Sequence, residues 1–373
     1  MNVATRALLT LLFPLVWIGA AAFALFLVLL DALCLPLVVA LRRRPADESP
    51  KSRNASIVVL NWNGIGFLRD LLPSLRVAVA KCPGDHEVIV VDNGSDDGSA
   101  EFVAREHAWT KLVRVPENRF FIRGNRAGVE HATRDILVFL NNDMRVEEDF
   151  LVELLRPFGK GDLFAVSSRI EMQGHRAETG LARCFVRRGE LRLLQVPGAA
   201  GDLRAPMWSG GGSSAFDRRK HDAIGGFEDL YEPCYVEDVS LSWQAWRRGW
   251  RCEYAHGSVV HHAHRGTSSR VFSRARLERL NWRNTELFFV RGVTDPGLVL
   301  AHGLWFGWNL RKRARMLGLT LADGVLAVLS ALPRLPAAIL ARQSSRRFYR
   351  RSCAEVLREV TEPQSPPPPS RTR

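Results

Sequence analysis

Residues 136–144 read ILVFLNNDM: five consecutive apolar side chains, then Asn141, Asn142 and Asp143. A short, uninterrupted apolar run that stops in polar turn residues is the pattern of a strand buried on both faces. The same pattern occurs upstream. SIVVL (56–60) runs into Asn61-Trp62-Asn63-Gly64, and EVIVV (87–91) runs into Asp92-Asn93-Gly94-Ser95-Asp96-Asp97-Gly98. KLVRV (111–115) is a fourth strand candidate. Between these runs, Phe67–Val79 and Gly124–Arg134 carry apolar residues at helical spacing. Strands alternating with helices predict an α/β domain with a doubly wound, mostly parallel sheet.

Ligands of such sheets bind beyond the carboxyl ends of the strands. Asn61, Asn63, Asp92, Asn93, Asp96 and Asp143 all fall there. Any one of these clusters is equally explained by turn chemistry, because Asn, Asp, Gly and Ser make turns; three at successive strand ends point to a site. No G-x-G-x-x-G follows the first strand and no G-x-x-x-x-G-K-[ST] occurs, so the usual dinucleotide and P-loop phosphate cradles are missing. NRFFIRGNRAG (118–128) offers another phosphate contact, a glycine-bearing loop opening a helix with free N–H groups.

With SIVVLNWNG (56–64), EVIVVDNGSDDGS (87–99), NRFFIRGNRAG (118–128) and ILVFLNNDM (136–144) in this order, the sequence resembles the family 2 glycosyltransferases of GT-A fold. The resemblance spans roughly residues 56–290. It implies a nucleoside-diphosphate sugar donor, with Asn61 and Asn63 lining the nucleotide pocket. Asp92, beside Asn93, would hold the base or ribose, and Asn118, Gly124 and Asn125 would border the diphosphate. Asp143 stands at the last position of the family's D-x-D motif, which binds a divalent cation, Mg2+ or Mn2+. Asn142 precedes it, and Asn141 replaces the first Asp.

The second half supplies candidates for the reacting groups. Met207–Phe216 is rich in glycine, which suits either close approach of backbone to a ligand or a flexible loop. Glu237-Asp238 opens an amphipathic helix reaching Arg248. Acidic residues at a helix start ordinarily stabilise it. The resemblance assigns them instead to the family's ED motif, whose aspartate, Asp238, is the general base, with Glu237 orienting the acceptor or the helix. A single displacement then inverts the anomeric carbon. Val259-Val260-His261-His262-Ala263-His264 ends the domain; three histidines are either metal ligands or a polar strand end. By similarity His261 is the metal- or diphosphate-binding histidine, with His264 as second choice. Ser209–Ser214, Glu237–Ser242 and His264–Ser268 look most like the bacterial branch that includes many rhamnosyltransferases.

The chain's 52 Lys and Arg against 39 Asp and Glu give a net charge of +13. The excess sits at the ends: residues 1–53 are net +3 and residues 298–373 net +9, while 54–297 are only +1. Both ends are also apolar, which fits a membrane surface and not nucleic acid, for which a basic folded face is expected. Residues 1–44 form the anchor. Ala7–Leu41 is nearly continuously apolar, longer than the roughly 7–15 residues of a cleavable signal core, and Arg42, Arg43 and Arg44 follow. A tilted transmembrane helix is the first reading, with the catalytic domain in the cytoplasm of a bacterium by the positive-inside rule. A re-entrant hairpin turning near Asp31 and Pro36 is the second. Residues 45–55 read as a linker, and 291–361 as amphipathic helices lying on the membrane or packing on the main core. Residues 362–373, with four consecutive prolines, read as a disordered tail. The six cysteines show no C-x-x-C spacing and read as free thiols. The acceptor implied by this architecture is a lipid-linked saccharide.

Two other readings compete. A processive polysaccharide synthase would carry Q-x-x-R-W; Gln244-Ala245-Trp246-Arg247-Arg248 has its Gln and Arg but not its Trp. A catalytically silent nucleotide-sugar-binding scaffold would be favoured by loss of Asp143 or of the Glu-Asp pair, and both are present.

Overall fold

The computed structural model describes residues 2–44, 47–172, 180–202, 204–263 and 272–361. His264 and the 362–373 tail fall outside them. Two helices, α1 (Val3–Leu11) and α2 (Phe13–Ala40), precede the α/β domain. The domain then runs β1 (Ala55–Asn61), α3 (Ile65–Lys81), β2 (Glu87–Asn93), α4 (Ser99–Glu106), β3 (Lys111–Val115), α5 (Phe120–Glu130), β4 (Ile136–Asn141) and β5 (Met144–Val146). It continues with α6 (Phe150–Leu155), β6 (Leu163–Met172), β7 (Ala182–Arg187), β8 (Glu190–Gln195), β9 (Ser213–Asp217), α7 (Arg218–Ile224), α8 (Glu237–Arg247) and β10 (Arg251–His262). Helices Arg274–Gly292, Pro296–Leu317, Leu321–Leu329, Leu335–Arg346 and Cys353–Val360 follow.

The eight-stranded main sheet has the order β3-β2-β1-β4-β9-β6-β10-β5. Its first four strands pair in parallel; β1, β2 and β4 are almost all buried, as their uninterrupted apolar runs require, while the edge strand β3 buries only Val113 and Val115. The expected mostly parallel order continues in β6 and β10, which pair in parallel, and is broken at two strands. β9 enters antiparallel between β4 and β6, and β5 pairs antiparallel with β10 at the edge. The fold is therefore α/β with a mixed sheet. The sequence hides this because a five-residue buried strand reads the same in either direction, and direction depends on how the 150–212 segment returns. β7 and β8 form a separate hairpin.

Apolar side chains from both faces of the sheet fill two clusters. One lies under α3, α4 and α6 (Leu68, Leu72, Phe102, Phe150, Leu154). The other holds the large aromatics Phe139, Phe216, Trp243 and Trp246, and it continues into Val290, Val293, Ala338 and Val356 of the C-terminal helices. The C-terminal helices thus share the core of the α/β domain. All six cysteines are free.

Phe13–Ala40 and Leu321–Arg346 are long and apolar enough to cross a membrane. Asp31, the one acid within α2, is only 7% exposed. Arg342 Nε donates to both its carboxylate oxygens at 2.9 and 3.1 Å, Gln343 Nε2 donates at 2.8 Å and Arg346 Nη1 at 3.1 Å. The Arg342 Nη1 also donates to the carbonyls of Val290 and Val293. Removing one partner of such a buried pair leaves charge and carbonyls unpaired. Arg342→Met should therefore lower unfolding free energy by about 3 kcal/mol, read by urea denaturation of the purified full-length chain.

Candidate functional site

The carboxyl ends of β1, β2 and β4 open into a cavity of about 460 Å³. Leu60, Trp62, Asn93, Asn118, Asn141, Asn142 and Asp143 from the first half of the domain line it, with Gly211, Gly212, Cys234, Tyr235, Glu237 and Asp238 from the second. Asp143 and Asp238, 95 positions apart, thus face one space. Phe120 and Phe272 stack at 5.9 Å between centroids and form part of its wall.

Local chemistry explains how each group is held. Asn93 Nδ2 donates to Asn118 Oδ1 (3.1 Å) and to the Phe120 carbonyl (3.2 Å), while its Oδ1 accepts from Arg119 N. These bonds fix the loop that enters α5. Asn142 Nδ2 donates at 2.7 Å to the fully buried Asn61 Oδ1. β9 is continued backwards by a bond from Asn141 N to the Gly212 carbonyl at 2.9 Å. A Cβ on Gly212 would lie 2.7 Å from Asn141 Nδ2, so the glycine run is needed for close approach of two segments and is not a flexible loop.

The turn before α8 is strained. Tyr235 and Val236 have φ of 76° and 75°, a conformation that a β-branched residue such as valine resists. Asn284, fully buried, holds the turn: its Nδ2 donates to the carbonyls of Tyr231 (2.6 Å), Cys234 (2.9 Å) and Tyr235 (2.9 Å). Glu237 and Asp238 follow at the start of α8. Asp238 accepts from Val239 N (2.8 Å) and from Gly211 N (3.3 Å). Burial raises its pKa, and those two N–H groups oppose the rise. Glu237 is driven well up by burial and by the neighbouring Asp238 charge, and its buried Oε2 has no hydrogen-bond partner. Asp238 thus has two N–H partners that favour its charged form, whereas the Glu237 Oε2 has none. Burial also lifts the Cys234 thiol to about 12, which removes it as a nucleophile.

Several residues expected at the site stand behind the cavity wall. Asn61 supports Asn142. Asn63 accepts from Asp96 N at 2.8 Å and donates its own N–H to Ser95 Oγ. Asn125 Nδ2 donates to the Phe121 carbonyl, and a Cβ on Gly124 would meet Leu60 at 2.6 Å, so both serve the packing of α5. Asp92 is buried with its Oδ1 unpartnered. The histidine assignment changes. Successive side chains of a strand point to opposite faces. His261 therefore turns to Glu147 (Nε2–Oε1 2.5 Å) and Glu171, while His262 lines the cavity with Nε2 3.2 Å from Asp143 Oδ2. The pair beside the cavity is Asp143 and His262, not Asp143 and His261. His262 and Asn284 were not legible individually, because the pairing of His262 with Met144, next to Asp143, is set by the register of β10 against β5.

Asp143 and His262 together present a carboxylate oxygen and an imidazole nitrogen to the cavity. Among the described residues no group of three or more His, Cys, Asp or Glu could by itself hold a metal ion. Two donors fit a hard cation that draws the rest of its shell from water and phosphate oxygens.

Residues 56–223 match the family model "Glycosyl transferase family 2". The match covers β1 to α7; the Glu-Asp turn, β10 and the helices beyond lie outside it. The chain is 28% identical over 323 residues to the pre-mycofactocin glycosyltransferase of Mycobacterium tuberculosis, covering 81% of this chain and 60% of that protein. It is 25% identical over 241 residues to N-acetylgalactosaminyltransferase 6 of Drosophila melanogaster, covering 60% of this chain and 36% of that one. The chain thus spans less than two thirds of either relative. Its fold is like that of GalNAc-T7 solved with UDP, GalNAc and Mn2+ (15% identity, TM-score 0.52, 74% of this chain and 56% of that one). It is also like that of S. aureus TarS 1–349 in complex with UDP-GlcNAc (14%, TM-score 0.50, 79% and 89%). The likeness to the two solved structures shows a GT-A-like fold.

Because the Glu237 carboxyl titrates higher in the folded chain than in the unfolded one, folding takes up a proton there. Its contribution to stability falls as pH rises from the ordinary carboxyl range to the raised value. Glu237→Gln mimics the protonated acid. Its melting temperature should match the parent at pH 4–5 and exceed it increasingly toward pH 8, a difference that thermal denaturation across that range reads directly.

Proposed function

We propose that the protein is an inverting glycosyltransferase. In this reading it moves a sugar from a nucleoside-diphosphate donor to a hydroxyl of a lipid-linked saccharide at the cytoplasmic membrane of a bacterium. The observation that carries it is the shared cavity, lined by Asp143 with His262 and by Asp238, whose carboxylate accepts from two N–H groups. The family match and the neighbours solved with UDP or UDP-GlcNAc support a donor of this class.

The acceptor hydroxyl must lose its proton as it attacks, and a positioned carboxylate takes it. Asp238 fills that role, its raised pKa making it a stronger base than a solvated aspartate. Glu237 stays neutral and holds the start of α8. The departing diphosphate gains charge beside Asp143 and His262, which would hold a Mg2+ or Mn2+ ion there to offset it. Asn93 and Asn118 border the same space; Asn93 holds the Asn118 Oδ1, and the Asn118 Nδ2 donates to donor oxygens. The transferred group is of the hexosyl or rhamnosyl class. The processive-synthase reading loses ground because Gln244, Arg247 and Arg248 turn away from the cavity. Gln244 Oε1 accepts from Tyr349, Arg247 caps the Gly292 and Arg351 carbonyls, and Arg248 donates to the Ala223 carbonyl.

Asp238→Asn should leave the Mn2+-dependent thermal shift with UDP-, dTDP- or GDP-sugars nearly unchanged and reduce turnover by about 10²–10⁴-fold; turnover near the parent's would remove Asp238 from the base role. Asp143→Ala should abolish the metal dependence of the donor shift, measured by titrating Mn2+ with donor present.

A further inference from the structure

We propose that α2 does not cross the bilayer: it lies beside the helix Pro296–Leu317 in the plane of one leaflet, and the pair seats the catalytic domain flat on an anionic lipid surface. The inference deepens the membrane part of the proposed function and rests on it.

By length α2 qualifies as a span, since its 28 residues measure about 42 Å. Its contacts do not allow one. Phe13, Trp17, Ala20, Ala24, Leu27 and Asp31 recur at alternating intervals of four and three, which places them in one stripe along the helix. That stripe is packed for its whole length. The Arg311 guanidinium sits 4.5 Å over the Phe13 ring, and Trp17 Nε1 donates to the Leu304 carbonyl at 3.0 Å. A Cβ on Gly307 would lie 2.3 Å from Trp17, and one on Gly303 would lie 2.6 Å from Ala24. Leu27 joins the domain core with Val290 and Val293, and Asp31 meets Arg342. Numbers rising on one helix fall on the other, so the two are antiparallel and level with each other.

The partner helix cannot be immersed. The β7–β8 hairpin, charged at Arg187, Arg188, Glu190 and Arg192, runs along it. Gly189 abuts the backbone of Ala301 and His302, Asn309 Nδ2 donates to the Arg188 carbonyl, and Arg192 Nη1 lies 3.3 Å from Met316 Sδ. Residues 302–316 are therefore edged by charged domain surface, and α2 from Phe13 to Leu27 lies beside them. At Asp31 the ion cluster intervenes. What remains, 32–40, is about 14 Å of helix against a hydrocarbon core of about 30 Å.

The opposite face is apolar and open. Leu15, Ile18, Leu25, Phe26, Leu29 and Leu33 are exposed on α2, and Leu300, Leu304, Trp305 and Trp308 on its neighbour. Two adjacent apolar helix faces exceed what a solvated surface usually exposes. Exposed arginines frame them: Arg6 and Arg311 with Arg315 at one end, Arg42, Arg43 and Arg44 at the other. The Arg188 guanidinium lies over both Trp305 (4.5 Å) and Trp308 (4.9 Å). Indole rings and guanidinium groups around an apolar strip complement headgroup phosphates above acyl chains.

The test uses the full chain with an epitope tag at each end in inverted inner-membrane vesicles of a bacterial host. It adds fluorophore-labelled Ile18→Cys, Leu25→Cys and Leu33→Cys, each in a Cys34→Ser background, bound to phosphatidylethanolamine vesicles containing phosphatidylglycerol and brominated lipids. Protease should remove both tags, and the three labels should be quenched most strongly by the same, shallow bromine position. An N-terminal tag protected while the domain is digested overturns the proposal as a crossing helix. Depth that changes steadily from Ile18 to Leu33 overturns it as a re-entrant one. A chain that fails to float with the vesicles and sediments as a dimer assigns the face to a second copy and ends the membrane reading as well. None of these readouts depends on catalysis, so they stand apart from the donor-binding assays.

Discussion

The antiparallel pairing of β9 with β4 is the constraint on which the cavity depends. Leu140 pairs with Ser213, and the ladder runs on through the bond from Asn141 N to the Gly212 carbonyl. That extension lays the glycine run against the end of β4, where Asp143 sits. One residue earlier, Gly211 turns its N–H to Asp238. A main-chain ladder thus brings carboxylates from distant segments to one space, and bulk at Gly212 would push Asn141 and β9 apart.

Around this ladder the structure concentrates polar groups that are expensive to bury and satisfies nearly all of them. Asn284 places three carbonyls of a strained turn on a single amide. Behind α8, Tyr231 donates to Ser240, Ser240 to Glu228, and Arg291 pairs with Glu228 and reaches Ser345. Exceptions include Glu237 Oε2 and Asp92 Oδ1 near the site, and Gln244 Nε2 and Arg248 Nε at the far end of α8. Satisfied networks make the frame rigid, and burial drives the unpartnered Glu237 acid well up.

The same networks tie the apolar ends of the chain to the α/β domain. Arg342 joins Asp31 of α2 to the carbonyls of Val290 and Val293. Those carbonyls end the helix that starts beside Phe272 at the cavity and carries Asn284. The exposed apolar strip of α2 and the cavity at the strand ends are therefore parts of one packed body.

The strands β1, β2, β3 and β4, and the placing of their polar ends at a site, were legible in the sequence because buried strands must be apolar runs and ligands gather where those runs stop. Asn93, Asn118, Asn142, Asp143, Glu237 and Asp238 could be named for that reason, or by resemblance. Tertiary structure alone decided the rest. The direction of β9 depends on the path of a long return segment. The choice of His262 over His261 depends on the parity of β10 against β5, where His262 pairs with Met144, next to Asp143. The partner of Asp31 lies 311 positions away. Local pattern records what a segment must bury; it does not record which distant segment does the burying, and that is settled by packing.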